Sequence, residues 1–304
     1  MSARAITVPS FAKINLDLRI AGRRDDGFHD ICTIFQTISL ADSIRFEAAD
    51  SLTLTCSDAG IPTDEQNLII RAANELLRLT GKQCGATIHL EKNIPSPGGL
   101  GGGSSNAAVT LMALCDIWEL QLSSEELLTI AAVLGSDVPF FFCGGTAIGT
   151  GRGTEVEPIT DLSSPFMILI TPDVAVDTAK AYSKLNAARL TKEDSNRILL
   201  NYRFWAVNAD LRSADLKNDF EKTVFAAFPE VERVKAKLLE LGAAKALLSG
   251  SGASVFGIFD NQETRQTAMK ALGNEANWRG FAVATVTRED YRGALNFGAL
   301  DRFR

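Results

Sequence analysis

The sequence predicts an α+β protein of two domains, and three observations carry that prediction. At roughly 100–200 residues per domain, the 304 residues amount to two domains or one large one, ample for a sizeable core. Strand and helix patterns are mixed without a repeating βα period, and hairpin-like strand pairs are common. The pattern restarts after Arg152–Pro158 with a buried strand, which puts the division near 155: an N-terminal domain over 1–155 and a C-terminal domain over 156–304.

The most regular stretch lies close to the N-terminus. Ala12, Ile14, Leu16, Leu18 and Ile20 alternate with Lys13, Asn15, Asp17 and Arg19, the period of a half-buried strand with a polar face. Lys13 and Asn15 then point the same way. Further strands are predicted at Cys32–Ile38, Ser43–Glu47, Leu52–Cys56 and Ala86–Leu90. Asn67–Leu79 reads as a helix stopped by Gly81, and Ala107–Trp118 as another with Ala108, Leu111, Cys115 and Trp118 on one stripe. Ser123 and Glu126 form a capping box for a helix ending near Gly135, and Asp137-Val138-Pro139 looks like the next helix start. Beyond the division come a buried strand over Phe166–Thr171 and helical material from Thr178 to about Leu241. Strands at Ala246–Leu248 and Val255–Phe259, a helix around Glu263–Leu272 and a strand at Phe281–Thr287 complete the chain.

Composition excludes several classes. With 46% hydrophobic and 22% charged residues the chain is neither disordered, collagenous nor a coiled coil. A net charge of −6 speaks against general nucleic-acid binding, which needs clustered positive charge. The cysteines (Cys32, Cys56, Cys84, Cys115, Cys143) show no C-x-x-C spacing, and with only His29 and His89 beside them no zinc constellation can be written. Reduced thiols fit a reducing cytosol. No apolar run approaches the ~18–20 residues that span a bilayer. MSARAITV lacks the apolar core of a leader, so a soluble cytoplasmic protein is expected, without a membrane partner.

The strongest local signal is Pro95-Ser96-Pro97-Gly98-Gly99-Leu100-Gly101-Gly102-Gly103-Ser104-Ser105, followed directly by a helix. Glycine weakens strands and helices alike, so this density marks backbone that approaches something closely. At a helix N-terminus the unpaired N–H groups and the dipole favour an anion, typically phosphate. Ser104 and Ser105 add hydroxyls for phosphate oxygens or a phosphate-bound metal. The alternative is a flexible surface loop with a serine N-cap. The only Gly-Lys pair, Gly81-Lys82, is followed by Gln, and no G-x-G-x-x-G occurs, so neither a GK[ST] P-loop nor a Rossmann turn is present.

Phosphoryl transfer needs the phosphates held, the developing charge neutralised and the acceptor hydroxyl beside a base. Read alone, Asp137 is an N-cap or a base, and Lys13 is a solvated surface lysine or a ligand-gripping cation beside Asn15. A Lys–Asp pair makes a workable base, because the ammonium keeps the carboxylate ionised and oriented.

Three segments resemble the three motifs of the GHMP kinases, in the family's order and at its usual spacing. They are Pro9-Ser-Phe-Ala-Lys-Ile-Asn-Leu16, the glycine loop with Asn106-Ala107-Ala108, and Leu248-Ser-Gly-Ser-Gly-Ala-Ser-Val255. Arg23-Arg-Asp-Asp-Gly-Phe-His29 and Leu134-Gly-Ser-Asp-Val-Pro-Phe140 further resemble the members whose small-molecule acceptor carries a cytidine diphosphate group, in the non-mevalonate route to isoprenoids. The resemblance implies a two-domain fold with a deep cleft, ATP on the glycine loop and Mg2+ with its phosphates. By position it makes Asp137 the catalytic base, Lys13 its charged partner and Asn15 a contact of the acceptor's polyol end. It makes His29 a hydrogen-bond partner of cytosine, with Phe28 and Tyr182 as stacking rings, and Ser249–Ser254 a turn lining the cleft near the phosphates.

The chain departs from the family pattern in three places. Ser96-Pro97 stands where relatives carry an apolar residue and a glycine, Phe28 stands where tyrosine is common, and no acidic Mg2+ ligand can be assigned. A kinase of mevalonate, homoserine or a sugar is the nearest rival, and Gly27-Phe28-His29 argues against it, since an acceptor without a nucleobase needs no stacking ring. A non-catalytic nucleotide-binding member is the other, and the retention of both Lys13 and Asp137 argues against that.

Overall fold

The computed structural model describes residues 5–23, 29–183, 211 and 215–297. Phe28 of the expected base pocket lies outside them, as do residues 184–210 and 212–214 of the expected helical stretch. The first half runs β1 (Ala5–Arg23), β2 (His29–Ala49), β3 (Leu52–Cys56), α1 (Leu68–Thr80), β4 (Gly85–Glu91), α2 (Gly102–Ile117), α3 (Ser124–Leu134), α4 (Phe140–Cys143), β5 (Thr146–Thr150) and β6 (Glu155–Pro158). The second runs β7 (Met167–Pro172), α5 (Thr178–Ser183), α6 (Glu221–Ala227), α7 (Pro229–Glu240), β8 (Lys245–Leu248), β9 (Val255–Ile258), α8 (Gln262–Leu272), β10 (Trp278–Val283) and α9 (Arg288–Leu295).

Strands β1–β6 form one sheet in the order β3-β4-β2-β5-β6, with β1 paired to β2; β7–β10 form a second in the order β10-β7-β9-β8. All pairs are antiparallel except β3–β4. This is the α+β class expected. The last strand of the first sheet begins at residue 155, and Tyr291 and Leu295 of α9 return to pack in the first sheet's core. No helix of the described residues is long and apolar enough to cross a membrane.

Local signals set the helix limits. Asn67 caps α1 by accepting the Ile69 N–H, and Gly81 ends it in the left-handed region. The Ser123/Glu126 capping box is present on both its bonds. Helix α2 departs from its predicted single stripe: every residue from Ser105 to Cys115 is buried. It threads between α1, α3 and the sheet, and Ala107, Ala108 and Ala113 allow that close approach.

The predicted polar face of β1 is corrected. Asn15 stands opposite Phe35 while Asp17 stands opposite Ile34. Paired residues share a face and neighbours do not, so the extra residue, a β-bulge, turns Asp17 and Arg19 to the side opposite Asn15. Nor is either face solvated, for Ala12–Leu18 are all buried. On one side Ala12, Ile14 and Leu16 pack against Leu169, Leu247 and Phe256 of the second sheet, forming an apolar seam between the sheets. On the other, Lys13 lies under the glycine loop.

Candidate active site

Strand β1 delivers Lys13 to the glycine loop, where its N–H donates to the Leu100 carbonyl at 2.9 Å and ties the strand to that loop. A buried ammonium must find acceptors. The Lys13 Nζ has three: Asp137 Oδ2 at 3.1 Å, Asn15 Oδ1 at 2.7 Å and the Gly99 carbonyl at 3.1 Å. Asn15 is oriented in turn, its Nδ2 donating to Thr33 Oγ1 at 2.8 Å, and Thr33 donating to the Asp17 carbonyl at 2.7 Å. The amide oxygen is thereby left facing Lys13. The lysine side chain is 4% exposed and that of Asp137 31%, so the cation is enclosed while the carboxylate is reachable from outside.

Asp137 is not an N-cap. Helix α4 is flanked by Pro139, which makes no side-chain cap bond, so the carboxylate is free to face Lys13. The turn bearing it is pinned by fully buried Val138, and the segment beyond it by Tyr291, whose hydroxyl donates to the Phe141 carbonyl at 2.6 Å.

The glycine loop ends in an uncapped helix. α1, α3, α8 and α9 have side-chain caps from Asn67, Ser123, Asn261 and Thr287; α2 has none, only Gly101 at φ 66°. Its first-turn N–H groups lack intrahelical acceptors and are available to an anion. Helix α2 includes Gly102 and Gly103, earlier than the predicted start at Ala107. Gly99, at φ 73°, leaves no room for a Cβ against the Ser249 carbonyl. The third motif therefore sits directly on the loop: Ser249 Oγ donates to the Gly99 carbonyl at 3.0 Å and the Ser254 N–H to that of Gly98 at 3.2 Å. Pro95, Gly98 and Leu100 are buried, while Ser96 and Pro97 are exposed.

The two serines separate. Ser105 turns inward: fully buried, it takes a hydrogen bond from Ser10 Oγ at 2.8 Å, and its N–H donates to Gly101. Ser104 faces the Asp137 turn, its Oγ 3.8 Å from where a Cβ on Gly135 would stand.

His29, at the start of β2, stacks on Tyr182 of α5 with ring centroids 5.4 Å apart and an interplanar angle of 29°. Burial pushes the Tyr182 phenol above its ordinary range, and the Asp137 carboxylate adds to the shift. The ring pair and the Lys–Asp pair thus lie within electrostatic reach of each other.

One charged pair was not foreseen. Lys92 Nζ donates to both Asp42 oxygens, at 3.1 and 3.0 Å, and to the Ile94 carbonyl. Asp42 also accepts the N–H groups of Asn93 at 2.7 Å and Ile94 at 2.8 Å, which fixes the chain just before the loop. The ammonium lies 3.3 Å from where a Cβ on Gly102 would stand, beneath the first turn of α2, and burial draws it below the ordinary lysine range against the pull of Asp42. Beside Glu91 in the sequence it reads as solvated charge; a lysine at the threshold of a glycine-rich loop was the available signal.

Comparison with known proteins shows the family. Residues 67–145 match the GHMP kinases N terminal domain and residues 205–277 the GHMP kinases C terminal domain. The chain is 39% identical to a 4-diphosphocytidyl-2-C-methyl-D-erythritol kinase of Syntrophus aciditrophicus (strain SB), over 92% of this chain and 99% of the relative. Among solved structures it is similar to a 4-(cytidine 5'-diphospho)-2C-methyl-D-erythritol kinase, with TM-score 0.76 and 30% identity over 92% of this chain and 99% of that one. A homoserine kinase from Cytophaga hutchinsonii shares the fold at TM-score 0.70 and 20% identity, covering 93% and 95% of the two chains.

Proposed function

The chain belongs to the GHMP kinases, and on that premise we propose that it transfers the γ-phosphoryl group of ATP to the 2-hydroxyl of 4-diphosphocytidyl-2-C-methyl-D-erythritol, a step of the non-mevalonate route to isoprenoids. The observation that carries this reading is the Lys13–Asp137 contact at 3.1 Å, beside a helix N-terminus that no side chain caps.

The chemistry follows from those groups. Asp137 accepts the proton of the acceptor hydroxyl as its oxygen attacks the γ-phosphorus and the bond to the leaving ADP oxygen breaks. Lys13, enclosed and held by Asn15 and Gly99, holds the carboxylate turned toward the hydroxyl. The glycine-loop N–H groups and Ser104 hold phosphate oxygens; Ser105, fully buried and accepting from Ser10, fixes the start of the helix instead. Mg2+, when bound with the nucleotide, would supply charge neutralisation at its phosphates. Ser104, which faces the Asp137 turn, is the loop hydroxyl offered to the metal. His29 and Tyr182 take the cytosine, with Phe28 assigned there from its sequence position. Residues 1–155 supply the base, its cation and the glycine loop, and 156–304 the third motif and Tyr182. Five free cysteines support a reducing compartment, the cytoplasm.

Asp137→Asn tests the proposal. Phosphoryl transfer to the cytidylylated substrate should fall by about 10²–10⁴-fold with ATP affinity retained. A variant with near wild-type kcat would remove Asp137 from the mechanism.

A further inference from the structure

Four consecutive residues outside the expected site, Asn218-Asp219-Phe220-Glu221, hold its separate parts to one another. Their backbone pairs with β1 just past Lys13 and Asn15: the Leu18 N–H donates to the Lys217 carbonyl at 2.8 Å, and the Asp219 N–H to that of Leu18 at 3.0 Å. The Asp219 carboxylate takes the Ile20 N–H at 2.8 Å. Asn218, buried, donates through Nδ2 to the carbonyls of Leu248 and Gly250, each at 2.8 Å, while its Oδ1 accepts the Phe220 N–H at 2.9 Å. Glu221 takes the Leu248 N–H at 3.1 Å and is itself fixed by Lys235 at 2.6 Å. Phe220, also buried, meets the Tyr182 ring edge to face, centroids 4.7 Å apart and planes at 88°.

The contacts of Asn218 and Phe220 reach two different parts of the site. Gly250 stands beside two acceptors of the Lys13 ammonium: a Cβ on it would lie 3.2 Å from the Gly99 carbonyl oxygen and 3.4 Å from Asn15 Oδ1. Asn218 thus acts on the phosphoryl-transfer centre and Phe220 on the base pocket. We infer that Asn218–Glu221 is a positioning clamp: Asn218 seats the third-motif turn against the glycine loop and Lys13, and Phe220 sets the ring of Tyr182 that receives the cytosine. This rests on the functional reading above.

Because the two side chains reach different parts, their loss separates in the kinetics. Asn218→Ser removes both donors to the turn and lowers kcat about tenfold, leaving the KM for the cytidylylated substrate within about twofold. Phe220→Leu keeps an apolar side chain but no ring, and raises that KM about fivefold with kcat and the KM for ATP within about twofold. A purely structural part would lower the melting temperature and the active fraction of both variants without this split. If Asn218→Ser does not fold, Phe220→Leu carries the test alone. An active wild type whose folded variants show flat kinetics overturns the clamp. A wild type that does not phosphorylate the cytidylylated substrate overturns the functional reading and the clamp with it.

Discussion

Alanine at position 101 puts the geometry of the Lys13 pocket to a quantitative test. Gly101 has φ 66°, where a Cβ costs an L-residue roughly 1–2 kcal/mol. The added carbon would stand 3.0 Å from Lys13 Cγ and 3.1 Å from both Lys13 Cε and Phe141 Cζ. Unstrained carbons sit about 3.5–4.0 Å apart, so a neighbour must yield by about half an ångström. Phe141 is fully buried and held through its carbonyl by Tyr291, so the lysine stem moves and its Nζ with it. The contact to Asp137 already measures 3.1 Å, and a shift of about half an ångström takes it past hydrogen-bonding range. A misplacement of that size costs on the order of 10–100-fold in kcat. The added carbon points at Lys13 and Phe141, so the KM for ATP should change less than kcat. Steady-state ADP release at saturating ATP and acceptor reads kcat, and thermal unfolding reads the backbone cost. A folded Gly101→Ala enzyme turning over at the wild-type rate would refute the claim that the Lys13–Asp137 distance limits the chemistry.

Two further predictions concern stability. Gly293 is exposed within α9 and nothing lies within 4 Å of where its Cβ would be, so Gly293→Ala should stabilise the fold by about 0.5–1 kcal/mol in urea unfolding, and a destabilised variant would contradict this. Burial pushes the Cys32 thiol from 9.0 up to about 12, so between those values the unfolded chain releases a proton that the folded chain keeps. This contribution is therefore complete below pH 9 and lost as pH rises, by at most about 1.4 kcal/mol per pH unit from this thiol. Comparing the slopes of wild type and Cys32→Ala over that window isolates it; equal slopes would show that the thiol ionises as readily when folded.

Much of the molecule was legible residue by residue. The α1 stop, the α3 capping box and the strand β3 depend on neighbours in sequence, and each stands close to where the pattern put it. The strand at Phe281–Thr287 was displaced: β10 runs Trp278–Val283, and beyond it Ala284 and Val286 bond Ser39 and Thr37 of β2. That shift answers to a partner strand, which no local pattern records.

The chain's own chemistry determined the menu: a phosphate-suited loop, a lysine and amide two apart on one strand, and an aspartate in a tight turn. Which of these groups meet was decided by tertiary structure. The bulge after Asn15 is a property of the β1–β2 register, and it leaves Lys13 and Asn15 together while turning Asp17 and Arg19 away. The inward turn of Ser105, the Asp42–Lys92 pair and the grip of Asn218 likewise depend on groups far away in the chain. Periodicity reports only which residues share a face of an isolated element. Burial of a polar group forces it to find a partner, and that partner is set by how the elements pack.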